Sequence, residues 1–272
     1  MARLIVLGSA AAVSDEHHDN THLLLEGENS VVLIDCGSNP VVKLKRFGIH
    51  YERLTDMILT HFHPDHVAGV PIFLMHMWLI GRKAPLRVYG LHHCLERTED
   101  MMLAFSWDTW PKFFPVAFHR LPERPDVLVL DNQDFRITAF PVKHYIPTVG
   151  LRIEVKSSGK VIGYSCDTEP VPNCIAIGRD ADLLVHEAAG QGWGIPARPR
   201  RAKSQPRPGL RSWCWCTIRF GMQTLRPLSQ KPGRPLTARW NWRSTIRFMK
   251  FKRGEAAAAP LKGSVLPTGQ AL

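Results

Sequence analysis

The sequence predicts an α/β sandwich, in which helices cover the faces of β-sheets. Over the first 194 residues short apolar runs alternate with helical patterns, and many of the runs end at Gly or Asp, which are turn residues. Two strand runs precede the first helix, and this order fits a sandwich better than a doubly wound parallel sheet. With 272 residues, the chain can form one large domain or two small ones.

The individual elements follow in chain order. Strands are predicted at RLIVLG, THLLLEG, VVLIDCG, DMILT, LRVYG, DVLVLD, FRITAFPV, GLRIEV, KVIGYS and DLLVHE. Helices are predicted over 40–47, 67–79 and 94–105, where Pro40 suits a first helical turn and Gly48 suits a helix end. The first residues also share features with a signal peptide, but a matching strand, SVVLIDCG, follows and favours a first strand over 3–7.

Charge divides the chain into two different compositions. Residues 195–254 hold sixteen Lys or Arg and no Asp or Glu, whereas residues 1–194 carry 18 basic and 23 acidic residues, a net charge of −5. All 13 histidines also precede Gly194. We therefore predict a domain over 1–194 and an Arg/Pro/Trp-rich tail over 195–272, so that the overall net charge of +11 describes neither part.

A cluster of metal-ligand residues follows the predicted strand DMILT. The stretch THFHPDHVAG places His61, His63, Asp65 and His66 within six positions. Pro64 favours an extended conformation at His63, so that two imidazoles can converge on one cation while Asp65 and His66 serve a second. Imidazole and carboxylate suit zinc, and open coordination positions are typical of a catalytic site. Gly69 allows close approach of the following helix. The alternative is a histidine-rich surface loop, which this dense spacing disfavours.

This stretch resembles the metal-binding motif of the metallo-β-lactamase-fold hydrolases, whose fold is an αββα sandwich with a two-metal site at one sheet edge. The resemblance runs from Arg3 to about Gly194 and implies further site residues. Asp35 in LIDCG would support the ligands from behind, His144 would complete the first metal site, and Asp167 would bridge both metals. LLVHEAA resembles the HEA strand end of the ribonuclease Z-like branch and places His186 and Glu187 near the site.

The resemblance implies two Zn²⁺ ions per chain, with Mn or Fe as alternatives, and a water molecule made reactive by the metals. Asp65 could orient that water or take its proton, and His186 and Glu187 are further catalytic candidates. The HEA end favours phosphodiester substrates. Bacterial tRNA 3′-processing enzymes insert a long arm between the third histidine and the bridging aspartate, but only 22 residues separate His144 from Asp167 here. A small phosphodiester or related ester is therefore expected, and a tRNA 3′-processing endoribonuclease is the alternative.

The resemblance ends after Gly194, where the family needs a last histidine that this sequence lacks. Reading the codons of Trp213–Ile218 from their third base permits Val-Leu-Val followed by His or Tyr, a strand ending in the missing ligand. The same shift permits His-Ser-Ser over 195–197 and Tyr-Glu-Ile-stop over 249–252. We infer that a lost base near codon 194 put the tail out of frame. The chain as written then has an incomplete C-terminal layer and a weak second metal site, with poor folding and little activity expected.

Three further expectations concern the environment and partners of the chain. No apolar run approaches the roughly 18 residues of a membrane span, and the six cysteines are scattered, so a reduced, cytoplasmic protein without membrane attachment is predicted. The tail could instead bind nucleic acid, RNA included, and a disabled relic is a third alternative. The sequence does not determine the oligomeric state, and a homodimer is one alternative.

Two other patterns allow more than one reading. The histidine pair in LHHC, 91–94, is more typical of a solvent-facing helix start than of a metal site. The aromatic segment FSWDTWPKFF, 105–114, suits either a lid beside the site or ordinary core packing.

Overall fold

Two β-sheets form the centre of the molecule. The computed structural model describes residues 2–10, 12–16 and 18–187, and the backbone of 248–250. The first sheet has the order β12-β1-β2-β3-β4-β5-β6 and consists of β1 (Arg3–Gly8), β2 (His22–Glu26), β3 (Val31–Ile34), β4 (Leu54–Ile58), β5 (Leu86–Leu91), β6 (Val116–Leu121) and β12 (Phe248–Lys250). The second has the order β11-β10-β9-β8-β7 and consists of β7 (Val127–Asp131), β8 (Phe135–Val142), β9 (Thr148–Val155), β10 (Lys160–Tyr164) and β11 (Leu183–Val185).

Both sheets are mixed. In the first sheet β1, β2 and β3 run antiparallel, whereas β3 to β6 run parallel to one another. In the second sheet β7 to β10 form an antiparallel meander and β11 joins β10 in parallel. Parallel neighbours place their carboxyl ends at one sheet edge, which brings the loops after β3, β4, β10 and β11 toward a common region.

Helices cover the outer faces of both sheets. The helices are α1 (Val41–Arg46), α2 (Pro64–Val67), α3 (Val70–Leu79), α4 (His92–Ala104) and α5 (Pro172–Gly178), with short 3₁₀ turns at Tyr51–Arg53 and Trp107–Thr109. Residues of α1 to α4 share a core with the first sheet, and Ile177 of α5 packs with Phe140 and Leu184 of the second. The described residues thus form the αββα sandwich that the sequence predicts.

Strand β3 illustrates how one element serves two cores. Val32 and Ile34 face the core between the sheets, while Val31 and Leu33 face the core beneath the helices. Side chains alternate across a strand, so a continuous apolar run such as VVLI is what a strand covered on both faces requires. All four side chains are fully buried. The loop that follows, which begins at Asp35, is therefore anchored to a rigid centre.

The ten predicted strands are all present, whereas β6, β12 and α5 among the described residues were not predicted. β6 has exposed polar residues such as His119 and Arg120 on the edge of its sheet, so its apolar signal is weak. α5 is obscured by its flanking prolines, although Pro172 stands at a first helical position where proline is tolerated. The predicted helix over 67–79 is corrected to two helices: α2 begins at Pro64, and Gly69 separates it from α3.

The structure shows the environments of the two segments LHHC, 91–94, and FSWDTWPKFF, 105–114. His92 and His93 begin α4, with His92 exposed and His93 partly buried, and neither belongs to a metal-ligand group among the described residues. In the aromatic segment, Phe114 is buried and Trp107, Trp110 and Phe113 pack against the helix-side core. Core packing therefore accounts for this segment.

The predicted tail over 195–272 lies outside the described residues, apart from β12. β12 pairs antiparallel with β1, with Met249 opposite Leu4. Over the described residues, no helix combines the length and the apolar character needed to cross a membrane.

Candidate metal centre

Four loops meet at one edge of the sandwich. Asp35 follows β3, Thr60 to His66 follow β4, His144 lies between β8 and β9, and Asp167 follows β10. Backbone hydrogen bonds hold these loops together: Val149 N donates to Thr60 O at 3.1 Å, and Cys36 N donates to His66 O at 2.7 Å. The loops of both sheets are thus fixed relative to one another.

Three histidines point their ring nitrogens at one position. His61 Nε2 lies 3.1 Å from His63 Nδ1, and His144 Nε2 lies 3.0 Å from the same atom. Nitrogens bound to one tetrahedral zinc ion at 2.0–2.1 Å are about 3.3 Å apart, so these separations fit the ligand set of one metal ion. We call His61, His63 and His144 the first cluster.

A second group of ligand atoms lies beside the first. Asp65 Oδ2 is 3.5 Å and Asp167 Oδ2 is 3.6 Å from His66 Nε2. Asp167 Oδ2 is also 3.9 Å from His144 Nε2, so this carboxylate lies between the two groups. We call Asp65, His66 and Asp167 the second cluster. The structure therefore brings together all six residues for which the sequence predicts metal binding.

Asp35 connects the two clusters from behind. Its Oδ2 accepts a hydrogen bond from His66 Nδ1 at 2.8 Å, and its Oδ1 accepts one from Thr60 N at 2.8 Å. The Thr60 hydroxyl also donates to Asp35, and it lies 3.1 Å from His61 Nδ1. Both His61 and His66 thus have their Nδ1 occupied, which leaves each Nε2 lone pair directed into its cluster.

Burial and charge set opposite protonation tendencies in the two clusters. Burial lowers the pKa values of His61, His63 and His144, and neighbouring histidines act in the same direction. The carboxylates of Asp65 and Asp167 offset only part of this decrease at His63 and His144. The first cluster is therefore neutral at neutral pH, as metal binding requires. Burial also opposes the charged form of His66, but the carboxylates of Asp35 and Asp167 outweigh it and raise the His66 pKa well above its ordinary value. Burial acts to raise the Asp167 pKa, but the hydrogen bond from His66 and the charges of the histidines lower it.

Cys166 and Thr60 belong to the site although the sequence prediction did not include them. Cys166 is buried, and its thiol donates to Thr60 Oγ1 at 3.0 Å and lies 3.7 Å from His61 Nδ1. Its φ of 54° is a left-handed conformation, which is uncommon for a residue with a side chain. Their positions next to His61 and Asp167 were a usable signal, because residues that orient ligands commonly neighbour them.

His186 and Glu187, the remaining predicted site residues, lie at the end of β11. Glu187 Oε1 accepts a hydrogen bond from Thr168 N at 2.9 Å, which places the carboxyl beside the residue that follows Asp167. Burial and the negative charge of Asp167 raise the Glu187 pKa to about 7. His186 is partly buried, its Nδ1 lies 2.9 Å from Glu187 O, and it joins neither cluster within the described residues.

A family model of the anti-Pycsar protein Apyc1 matches residues 2–193. The chain belongs to the Apyc1 family. The match ends one residue before Gly194, the point at which the sequence composition changes.

Apyc1 family membership agrees with the other similarities of this chain. Ribonuclease Z of Porphyromonas gingivalis is 27% identical over 230 residues, which cover 67% of this chain and 75% of that protein. The short form of human tRNase Z superposes with a TM-score of 0.61 at 22% identity, covering 73% of this chain and 85% of that one. The metallo-β-lactamase-fold protein YhfI of Bacillus subtilis superposes with a TM-score of 0.56 at 23% identity, covering 69% of this chain and 71% of that one. The chain is a ribonuclease Z-like hydrolase with the metallo-β-lactamase fold.

Proposed function

We propose that this chain is a two-metal phosphodiesterase that hydrolyses a small phosphodiester. The observation that supports this proposal is the convergence of the two clusters, with the Asp167 carboxylate 3.6 Å from His66 Nε2 and 3.9 Å from His144 Nε2. Phosphoryl chemistry at paired metals uses ions only a few ångströms apart, so ligand sets that share a carboxylate suit it.

The donor set fits two zinc ions. His61, His63 and His144 would hold the first, Asp65 and His66 the second, and Asp167 both; Mn or Fe are alternatives because imidazole and carboxylate accept them too. When bound, the ions supply a polarised water and neutralise negative charge on the phosphodiester. Because the sequence has no histidine after His186, the second ion has fewer ligands available and is expected to bind more weakly.

The chain's own groups would orient the reactants and move protons. Asp65 contacts His66 from within the second cluster and is placed to orient the attacking water or accept its proton. Glu187, whose pKa is about 7, can hold a proton near neutral pH and is proposed with His186 as the source of a proton for the leaving oxygen. Asp35 and Thr60 would keep the ligand imidazoles in one tautomer.

The connection between β9 and β10 supports a small substrate. β9 ends at Val155 and β10 begins at Lys160, so a turn of four residues connects the strands. Ser158 N and Gly159 N both donate to Val155 O, which closes this turn tightly. A long substrate-gripping arm between His144 and Asp167 has no room here, and a compact phosphodiester is the substrate that this site would accept.

The proposal is tested by hydrolysis of bis(4-nitrophenyl) phosphate by the full-length chain, stripped of metal and then supplied with Zn²⁺ or Mn²⁺. Turnover is expected only with metal, and Asp167→Asn should lower it about a hundredfold or more. His92→Ala is the matched control, since this histidine is exposed and outside both clusters. Turnover that is independent of metal, or unaffected by Asp167→Asn, would contradict the proposal. If the chain binds fewer than two metal ions and shows no turnover, the result would instead favour an inactive descendant of such an enzyme.

A tRNA 3′-processing endoribonuclease is the second candidate, because a similar protein is named ribonuclease Z. Both candidates use the same clusters, so the substrate distinguishes them. Specific cleavage of a precursor tRNA by the full-length chain, at a rate above that with bis(4-nitrophenyl) phosphate, would favour this candidate over the small-substrate enzyme.

For the C-terminal part we propose that residues 195–272 result from a frameshift after Gly194. The absence of Asp and Glu from 195–254 supports this proposal. Sequencing the source DNA across codons 185–220 tests it, and an additional base there would restore the His-Ser-Ser and Val-His elements.

If DNA sequencing confirms the sequence as written, nucleic-acid binding by the basic tail over 195–272 becomes the alternative to test. Binding that weakens with salt and vanishes on deletion of 195–272 would support it.

We also infer that the protein works in a reducing compartment such as the cytoplasm. Within the part of the chain that the structure describes, Cys36, Cys94, Cys166 and Cys174 are free thiols, and three of them are buried. Buried thiols that lie beside no partner cysteine are typical of proteins that do not rely on disulfides.

A further inference from the structure

A third group of metal-ligand side chains shares two of its residues with the clusters. His61, His66 and Cys166 bring ligand atoms within 4.8 Å of one another, and we call these residues the third group. Cys166 belongs to neither cluster, and the proposed reaction does not use its thiol. All three residues are buried, so the contacts of the thiol are set by the fold alone.

The distance between the thiol and an imidazole fits a shared cation. Cys166 Sγ lies 3.7 Å from His61 Nδ1. A thiolate sulfur and an imidazole nitrogen on one tetrahedral zinc-like ion are about 3.6 Å apart at ordinary bond lengths. Thr60 Oγ1 lies 3.0 Å from the sulfur and 3.1 Å from the same Nδ1, so a neutral oxygen is also available to the cation.

The donor atoms of the third group favour a soft divalent cation. Cysteine binds metals as the thiolate, which prefers soft ions such as Cd²⁺ to the harder ions that carboxylates accept. Forming the sulfur–metal bond releases the thiol proton to solvent, and no electron is transferred. The thiolate and the buried Asp35 carboxylate, which bonds to Thr60 and His66, supply two negative charges. A divalent cation is therefore neutralised in this buried position.

His61 cannot serve the first cluster and the third group at the same time. A neutral imidazole carries a proton on one ring nitrogen and a free lone pair on the other. The first cluster uses His61 Nε2, with the proton on Nδ1 beside Thr60. A cation beside Cys166 needs the lone pair on Nδ1 instead. Binding at the third group therefore removes a ligand from the first cluster.

We propose that His61, His66 and Cys166 bind a soft divalent cation in competition with zinc at the first cluster. Such an ion inhibits the centre by taking a histidine from the first zinc, and Cys166 makes the centre sensitive to it. This inference rests on the proposed function in one respect, namely that the clusters bind zinc.

Cadmium titration of the metal-free, full-length chain tests the inference through the ultraviolet charge-transfer band of a cadmium–thiolate bond. The parent for this experiment carries Cys214→Ser and Cys216→Ser, because these two cysteines are one residue apart in the sequence and offer a separate thiolate site. The band is expected in this parent, whereas cadmium held only by histidines and carboxylates gives none. Cys166→Gly should abolish the band without straining the backbone, because the φ of 54° at this position suits glycine.

Two further variants separate the third group from other ligands. Cys174→Ser removes a thiol that belongs to no ligand group among the described residues, and it should keep the band. His63→Ala removes a ligand of the first cluster alone, so it should lose the first zinc-binding event and keep the band. Zinc titration of Cys166→Gly should still show two binding events, which establishes that this variant folds.

Competition with zinc completes the test. With zinc at about ten times its dissociation constant for the first cluster, the cadmium concentration at half of the maximal band should rise about tenfold. No band in the parent, a band that persists in Cys166→Gly, or a titration that zinc does not shift would overturn the inference and leave the proposed function standing. If the band behaves as expected but the zinc-loaded chain shows no turnover, the inference is supported and the proposed function falls.

Discussion

Asp35 Oδ2 accepts a hydrogen bond from His66 Nδ1 at 2.8 Å, and both residues are buried. The same carboxylate holds the Thr60 hydroxyl, which lies 3.1 Å from His61 Nδ1. A single buried carboxylate therefore fixes one imidazole of each cluster. The two candidate metal sites are connected through a residue that belongs to neither.

This connection predicts that Asp35→Asn weakens metal binding at both clusters, by about 10–100-fold each. Asparagine keeps the shape of the side chain but not the charge that favours the required tautomers. Zinc titration by calorimetry measures the effect. Asp56→Asn is the control, because Asp56 is also buried but pairs with Arg87 away from the site. If only one binding event weakens, the shared role of Asp35 is wrong.

Acidification is expected to release the second metal before the first. The His66 pKa is raised well above 6.5, so a metal must displace its proton, and affinity should fall up to about tenfold per pH unit as pH decreases. The pKa values of His61, His63 and His144 lie below 6.5, so the first cluster is already neutral at pH 7 and keeps its affinity. Zinc affinities measured between pH 8 and pH 6.5 check this. If both zinc-binding events weaken to the same extent, the predicted order of metal release is wrong.

Gly69→Ala is expected to destabilise the fold by about 2–3 kcal/mol and to weaken the second metal. A Cβ at Gly69 would lie 2.4 Å from Ser38 O and 2.7 Å from Cys36 O, so the loop after β3 would have to move. The same loop is bonded to His66 O through Cys36 N. Urea unfolding and zinc titration measure the two effects.

The control for this substitution is Gly178→Ala in α5. Its new Cβ would meet Leu184 at 3.4 Å, an ordinary contact, so stability should change by less than about 1 kcal/mol. Equal destabilisation by both substitutions would show that close backbone approach is not the cause.

The Asp134 carboxylate, immediately before β8, accepts hydrogen bonds from the turn between β2 and β3 and so connects that turn to the second sheet. Burial acts to raise its pKa, but hydrogen bonds from Ser30, Asn29 and Glu28 outweigh burial and hold the pKa below the ordinary 3.8. The stabilisation is thus present above pH 3.8 and is lost as the pH falls through the lower folded-state pKa. Asp134→Asn should cost about 2 kcal/mol at pH 7.

Unfolding free energies from pH 7 down to pH 3 test this expectation. The difference between the parent and Asp134→Asn should shrink toward pH 3, whereas the exposed Asp100→Asn should show little difference throughout. A difference between parent and Asp134→Asn that stays constant over this range would exclude the ionised carboxylate as its source.

The sequence was informative where a local pattern has one structural meaning. The run VVLI predicts a strand covered on both faces, and the spacing of His61, His63, Asp65 and His66 predicts two ligand groups. The positions of His144 and Asp167 required the family resemblance, because they lie 81 and 104 positions from His63. Only the pairing of two sheets brings them together.

What the sequence did not predict depends on tertiary contacts. β6 forms by pairing with β5 at the sheet edge, although its own residues are partly exposed and polar. Cys166 neighbours Asp167 in the sequence, but only the fold places its thiol against Thr60.

The central claim is that six side chains form two adjacent metal sites of unequal strength. Calorimetric titration of the metal-free, full-length chain with Zn²⁺ at pH 8 tests it most directly. We predict two binding events, the first at least about tenfold tighter, with the first abolished by His63→Ala and the second by Asp65→Ala. A chain that binds no zinc, or binds it equally well after both substitutions, would contradict the account.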